Sequence, residues 1–331
     1  MNHANVAFFI PHLGCRHRCS FCNQRSISGV QDIITPRQVS DALREAVCRM
    51  GDRVREAEIA FFGGSFTALP RRTMIDYLKA AAPFLKEGFG GIRLSTRPDA
   101  IDSEVLDILF QYGVTSVELG AQSMDDRVLS LNGRGHTAFQ VKQASYLIQE
   151  RGFSLGLQMM TGLYGSSLET DQDTAHQLME LKPDTVRIYP TIVVEGTYLS
   201  NLWREGRYQP QSLWEAVELC AQLMEEFETK GIRVIRVGLH AGGDVENGML
   251  CGPWHPAFGE LCENRRFLHR ALDVLKDNCV PKGCVTLGVH PSDLSKMIGQ
   301  KRQNVDKLRQ IGYDSKVIGK TDIPKGTVQL L

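Results

Sequence analysis

Six short apolar, β-branched runs alternate with amphipathic stretches along the first 190 residues, and no other feature restricts the fold as tightly. The runs are VAFFI (6–10), EIAFF (58–62), GIRLST (91–96), TSVELG (115–120), SLGLQMM (154–160) and DTVRIYP (184–190). Helical patterns lie between them at 35–50, 70–85, 103–113, 138–152 and 169–181, the first opening with a Thr cap and a Pro in the first helical position. Repeated strand–helix–strand units demand parallel strands with crossover helices. The chain is therefore α/β, and its length suits a partial (β/α)6 TIM-like barrel. The strand ends run into FFGGSF, STRPD, ELGAQS and MMTGLYG, and function in such folds gathers at the carboxyl ends of strands. A long helix (212–231) and a further strand (232–241) follow, and residues 242–265 read as irregular. The predicted division is a barrel over 1–240, a covering or linking segment over 241–284, and a small α+β unit over 285–331.

Charge narrows the class of partner. Lys+Arg and Asp+Glu both number 38, so no strong field draws the whole chain to nucleic acid or to a membrane surface, and neither DNA nor a membrane is an expected partner. No apolar stretch reaches about 18 residues, so no transmembrane helix is expected. The opening MNHANVAFFIPHLGC has no basic leader and no A-x-A-type site, which leaves the cytoplasm as the expected location. The cysteines number nine, an odd count that argues against a disulfide framework and for ligation. Cys48 and Cys220 fall in helical patterns and read as small buried side chains.

Cys15, Cys19 and Cys22 form a C-x3-C-x2-C loop directly after the first strand. Four ligands close a structural zinc or iron–sulfur site, whereas three thiolates hold three irons of a cubane and leave the fourth open. His12 and His17 lie close enough in sequence to complete a Cys3His zinc site, so both readings stand on spacing alone.

C-x3-C-x-aromatic-C after a first strand, with Phe21 at the aromatic position, resembles the signature of the radical S-adenosylmethionine (SAM) superfamily. The resemblance implies a [4Fe–4S] cluster on Cys15, Cys19 and Cys22, with SAM chelating the free iron. It also implies reductive cleavage of SAM to methionine and a 5′-deoxyadenosyl radical that abstracts hydrogen from the substrate, with an electron donor protein supplying the electron. FFGGSFTAL (61–69) stands where the superfamily keeps a glycine motif for SAM's amino group; here Gly63 and Gly64 are followed by Ser65. STRPD, VELGAQS, NGRGHT, TGLYG and the string VRIYPTIVVEGTYLSNLWREGRYQP (186–210) are similar, in that order, to the radical SAM domain of the Elongator catalytic-subunit family, which modifies tRNA wobble uridine. Gln122 and Arg134 match the spacing of a SAM-binding Gln and Arg in the related oxygen-independent coproporphyrinogen oxidases. The implied roles are a ribose hydroxyl for Gln122 and the methionine carboxylate for Arg134, whose alternative is a surface cation. Ser95 falls where relatives often carry Glu, and Gln158 where one relative carries Asp; both imply ribose contacts without charge. Arg187 and Tyr189 line the substrate side or pack as core. Only about 90 residues follow the matched region, so the family's acetyltransferase domain is not expected.

The stretch 285–331 reads strand, helix, tight turn, helix, strand, strand, and around IGQKRQNV it resembles the KH RNA-binding module. Eight Lys/Arg stand against four Asp there, with Lys301 and Arg302 in the loop. The implied partner is RNA, tRNA above others. The alternatives are a porphyrin- or other small-molecule-acting radical SAM oxidase and, from another class, a zinc-stabilised RNA-binding protein.

Overall fold

The computed structural model describes residues 4–10, 14–15, 19–23, 33–239 and 248–331. The barrel runs β1 (Ala4–Ile10), α1 (Pro36–Met50), β2 (Ala57–Gly63), α2 (Arg71–Ala81), β3 (Ile92–Thr96), α3 (Ser103–Gln111), β4 (Val114–Gln122), α4 (Asp126–Leu131), α5 (Ala138–Glu150), β5 (Ser154–Thr161), α6 (Leu168–Glu180) and β6 (Thr185–Pro190). A short β7 (Val193–Val194), α7 (Tyr198–Arg204), α8 (Leu213–Thr229), β8 (Arg233–Val237) and β9 (Met249–Cys251) follow. The main sheet has the order β1-β2-β3-β4-β5-β6-β8. Every pairing in it is parallel. The expected α/β partial barrel is thus present, with a seventh strand beyond the six units. That strand ends at Val237, short of the expected 241, whose last residues lie outside the described ones.

Side-chain chemistry explains the layering. Along each strand, alternate residues face opposite sides. Ile59, Phe61, Leu94, Val117, Leu119, Leu155, Leu157, Val186 and Ile188 bury themselves against the helices in one continuous core. The other face carries Phe62, Ser95, Glu118, Gln158, Met160, Arg187 and Tyr189. Capping boxes at Thr35, Thr137, Ser167 and Ser212 start four of the helices, each satisfying amide donors that the first turn leaves free.

A 20-residue helix, α9 (Phe258–Asp277), occupies part of the stretch read as irregular and linking. Its first turns place Phe258, Leu261 and Cys262 in the barrel core. Its later turns place Phe267, Leu268, Ala271 and Leu275 in a second core. Arg266, buried between the two, pairs with Glu225, Glu228 and Glu263. The second core belongs to β10 (Gly283–Val289), α10 (Leu294–Ile298), α11 (Gln303–Gln310), β11 (Tyr313–Gly319) and β12 (Val328–Leu330). This is the order read from sequence. β10 is the central strand, parallel to β11 and antiparallel to β12. Cys220 is buried as expected, but Cys48 is exposed on the outer face of α1.

Candidate active site

The cysteine loop is tied down at several points. Gly14 has φ +75°, and a Cβ there would run into the carbonyl oxygen of Ser65, so the loop lies directly on the turn after β2. Cys15 Sγ stands 3.8 Å from Ser65 Oγ. The amide of Cys22 donates to Cys19 O at 3.1 Å, closing a tight turn. Between these cysteines, Ser20 donates its amide to Asn132 O (3.0 Å) and its hydroxyl to Asn132 Oδ1 (2.6 Å). Asn132 is wholly buried and donates in turn to Val128 O and Tyr164 O. The amide of Leu199, in α7, donates to Ser20 O at 2.7 Å. Phe21 turns away into a small apolar cluster with Val193, Leu199, Leu202 and Tyr208. The clasp from Ser20 to Asn132 spans 112 positions and went unread in the sequence, although Asn132 opens the quoted NGRGHT.

Arg134 is buried, not a surface cation. Its Nη1 donates to Cys19 Sγ at 3.0 Å and its Nη2 to Gly120 O at 2.6 Å. Arg97, paired with Asp99, donates to the Arg134 carbonyl at 2.6 Å. Neighbouring His136 offers Nε2 to Ala121 O at 3.1 Å; since a carbonyl only accepts, the proton sits on Nε2. Burial first, and the charge of Arg134 second, push His136 down to about 3, so the ring is neutral.

Ser95, Glu118, Arg187 and Tyr189 make a polar bridge through the lumen. Glu118 accepts from Ser95 Oγ (3.2 Å) and from Arg187 Nε (2.7 Å), and Arg187 Nη1 reaches Tyr189 OH at 3.4 Å. The Arg187 guanidinium lies over the Phe62 ring, 5.1 Å from its centre. β2 and β6 are not neighbours in the sheet, so this contact crosses the barrel interior. Burial, the largest single influence, would lower the Arg187 pKa, but the charge and hydrogen bond of Glu118 together with those of Tyr189 outweigh it and the net direction is up. Burial raises Tyr189, keeping its hydroxyl protonated. Gly156 leaves the room: a Cβ there would stand 3.1 Å from Glu118 Cγ. Glu118 is the residue that sequence reasoning missed, and its signal was a carboxylate inside a buried strand.

The remaining expected residues also sit at the mouth or in the lumen. Gly63 ends β2 with φ +100°, followed by Gly64 and buried Ser65. Gln158 faces inward, half-buried, at the register of Gly120 and Arg187. Gln122 follows a register shift in β4 with φ 69°, a strained value for a side-chain-bearing residue. Gln122 Oε1 and Arg134 Nε are buried without a hydrogen-bond partner in the protein. Such orphaned groups, one of them on the Arg134 that contacts the Cys19 thiol, fit a bound polar ligand beside a metal cluster. Among the described residues no three His, Cys, Asp or Glu converge as they would around one ion. Thiolates of a cubane each take a different iron and need no such convergence. His12 and His17 of the zinc reading lie outside the described residues. Asp171 sits in the first turn of α6 and accepts from Gly162 N at 2.8 Å.

An open parallel barrel with cysteines and a glycine turn together at its carboxyl-terminal mouth defines a radical SAM enzyme. The profile of the radical SAM superfamily matches residues 9–178 and that of the Radical_SAM C-terminal domain residues 183–267; the chain belongs to this superfamily. Its members use a [4Fe–4S] cluster and SAM. Among characterised proteins, the chain is similar to a tRNA uridine(34) acetyltransferase of Methanocaldococcus jannaschii, with 33% identity over 147 residues, covering 44% of this chain and 27% of that protein. It is also similar to human Elongator complex protein 3, with 31% identity over 201 residues, covering 54% and 37%. The chain thus spans about a third of the length of these relatives. In structure it is similar to an archaeal Elp3 from Methanocaldococcus infernus lacking residues 1–46, with TM-score 0.62 and 22% identity, covering 84% of this chain and 63% of that one. Among the described residues no helix is long and apolar enough to cross a membrane.

Proposed function

We propose that the protein is a cytoplasmic radical SAM enzyme that acts on RNA, with tRNA as its substrate. The similarity to relatives named as tRNA uridine(34) acetyltransferases carries this reading. In it, residues 1–240 perform the chemistry, 285–331 grip the RNA, and 241–284 join and cover.

Cys15, Cys19 and Cys22 hold the cluster. Gly63, Gly64 and Ser65 receive the amino group of SAM, Ser95, Gln122 and Gln158 take its ribose, and Arg134 takes its carboxylate with donors that its present bonds leave unspent. Phe21 anchors the loop against α7 and so sets where the cysteines stand. When bound, the cluster and SAM supply a one-electron cleavage that yields a hydrogen-abstracting carbon radical, with the electron arriving from a donor protein. The chain's own task is to exclude water and orient the target C–H bond. Phe62 and Met160 add apolar surface to the lumen, while Arg187 and Tyr189 offer hydrogen bonds within it to a polar substrate edge.

The loop between α10 and α11 supports the RNA reading. Gly299, Lys301 and Arg302 all have positive φ (78°, 50° and 66°), and both cations are exposed. Asn304, buried beneath them, donates to Asn264 O and Lys296 O and so locks the loop to α9. A strained loop held open in this way presents its charges to phosphates. The test is the modified-nucleoside profile of cellular tRNA with and without the protein, together with co-purification of tRNA. Lys301→Glu combined with Arg302→Glu is expected to lose bound tRNA; full retention removes the tail from the reading, and an unchanged nucleoside profile removes tRNA as substrate.

A further inference from the structure

Arg134 does more at this site than a carboxylate clamp requires. Its amide donates to Leu129 O at 3.0 Å, its carbonyl is gripped by Arg97, and its Nη2 is pinned to Gly120 O. The side chain is thereby fixed from both ends, and the Nη1 that remains is aimed at Cys19 Sγ, 3.0 Å away. Cys15, by contrast, meets the neutral hydroxyl of Ser65 at 3.8 Å.

The geometry points to Arg134 as a positioning residue for the cluster, one that holds Cys19 in place to receive iron and biases the cluster's reduction potential through its N–H···S bond. A guanidinium hydrogen-bonded to a ligating sulfur stabilises the extra negative charge of the reduced cluster more than it stabilises the oxidised one. Removing the bond therefore drives the midpoint to more negative values. The bond acts through Cys19 and needs no SAM, which separates it from the proposed carboxylate contact of the same residue. The inference rests on the proposal that the three cysteines ligate the cluster.

The experiment uses the full chain, anaerobically reconstituted with iron and sulfide, in four forms: wild type, Arg134→Lys, Arg134→Gln and Arg134→Met. Iron and sulfide content is measured first, and the midpoint is then read by EPR-monitored redox titration without SAM. The expected order, from least to most negative, is wild type, Lys, Gln, Met. Wild-type midpoints in loaded Gln and Met variants overturn the inference. A Met variant that melts like wild type but takes up several-fold less iron supports the positioning role, and the Gln variant then carries the potential. Cys19→Ala is the control: if it loads iron and sulfide as wild type does, the ligand assignment has failed, whatever Arg134 does.

Discussion

Asp171 offers the most quantitative test of the structure. The residue is 3% exposed, and burial pushes its carboxyl pKa from the ordinary 3.8 up to about 7. The Gly162 amide and the Ser166 hydroxyl pull the other way and do not prevail. The sign follows from linkage. Between these two values the folded state keeps a proton that the unfolded state has released. The group's contribution to stability is therefore fully present below pH 3.8 and is lost as pH rises through about 7. A shift of about three units at 1.36 kcal/mol each gives a ceiling of about 4 kcal/mol. The α6 amino terminus favours the anion and trims this figure. In Asp171→Asn the amide oxygen retains the Gly162 bond and the side chain stays neutral at every pH. The variant is expected to be the more stable form at neutral pH, its advantage growing by about 1–2.5 kcal/mol between pH 5 and pH 7.5. Urea denaturation at a series of pH values measures this directly. Parallel stability curves for variant and wild type across that range would refute the buried, proton-retaining carboxyl.

Two further outcomes concern the cysteine loop. Asn132→Ala removes the bonds to Ser20 Oγ, Val128 O and Tyr164 O, and is expected to cost about 3 kcal/mol at roughly 1 kcal/mol per bond; urea denaturation checks it, and a loss under about 1 kcal/mol would contradict the clasp. Gly14→Ala forces a Cβ toward the Ser65 carbonyl at φ +75° and is expected to cut iron uptake several-fold, read as iron content after anaerobic reconstitution, with little change in melting because the loop lies outside the main core.

The sequence made the barrel legible because its information there is local. Period-two apolar runs and capped amphipathic helices each declare themselves within about ten residues, and the six expected strands lie within a few residues of those observed. The glycine turn and the cysteine spacing were visible for the same reason. The residues expected to contact SAM lie at the mouth or in the lumen. What escaped was non-local. Glu118 and Arg187 are 69 positions apart, and Ser20 and Asn132 are 112 apart; no window along the chain reports such pairs. Helix α9 escaped for another reason. Its apolar residues divide between two cores, so its periodicity switches face near Arg266, and the preceding GPWHP hides its start.

The division of α9 between two cores has a mechanical meaning. A continuous rod of 20 residues is about 30 Å long, at about 1.5 Å rise per residue, and here it is embedded at both ends. Such a strut leaves no slack for swivelling between the tail and the barrel. Under the RNA reading proposed above, a polynucleotide held at the tail would be presented to the mouth at a set span, and the enzyme would choose its target nucleoside by distance as much as by shape.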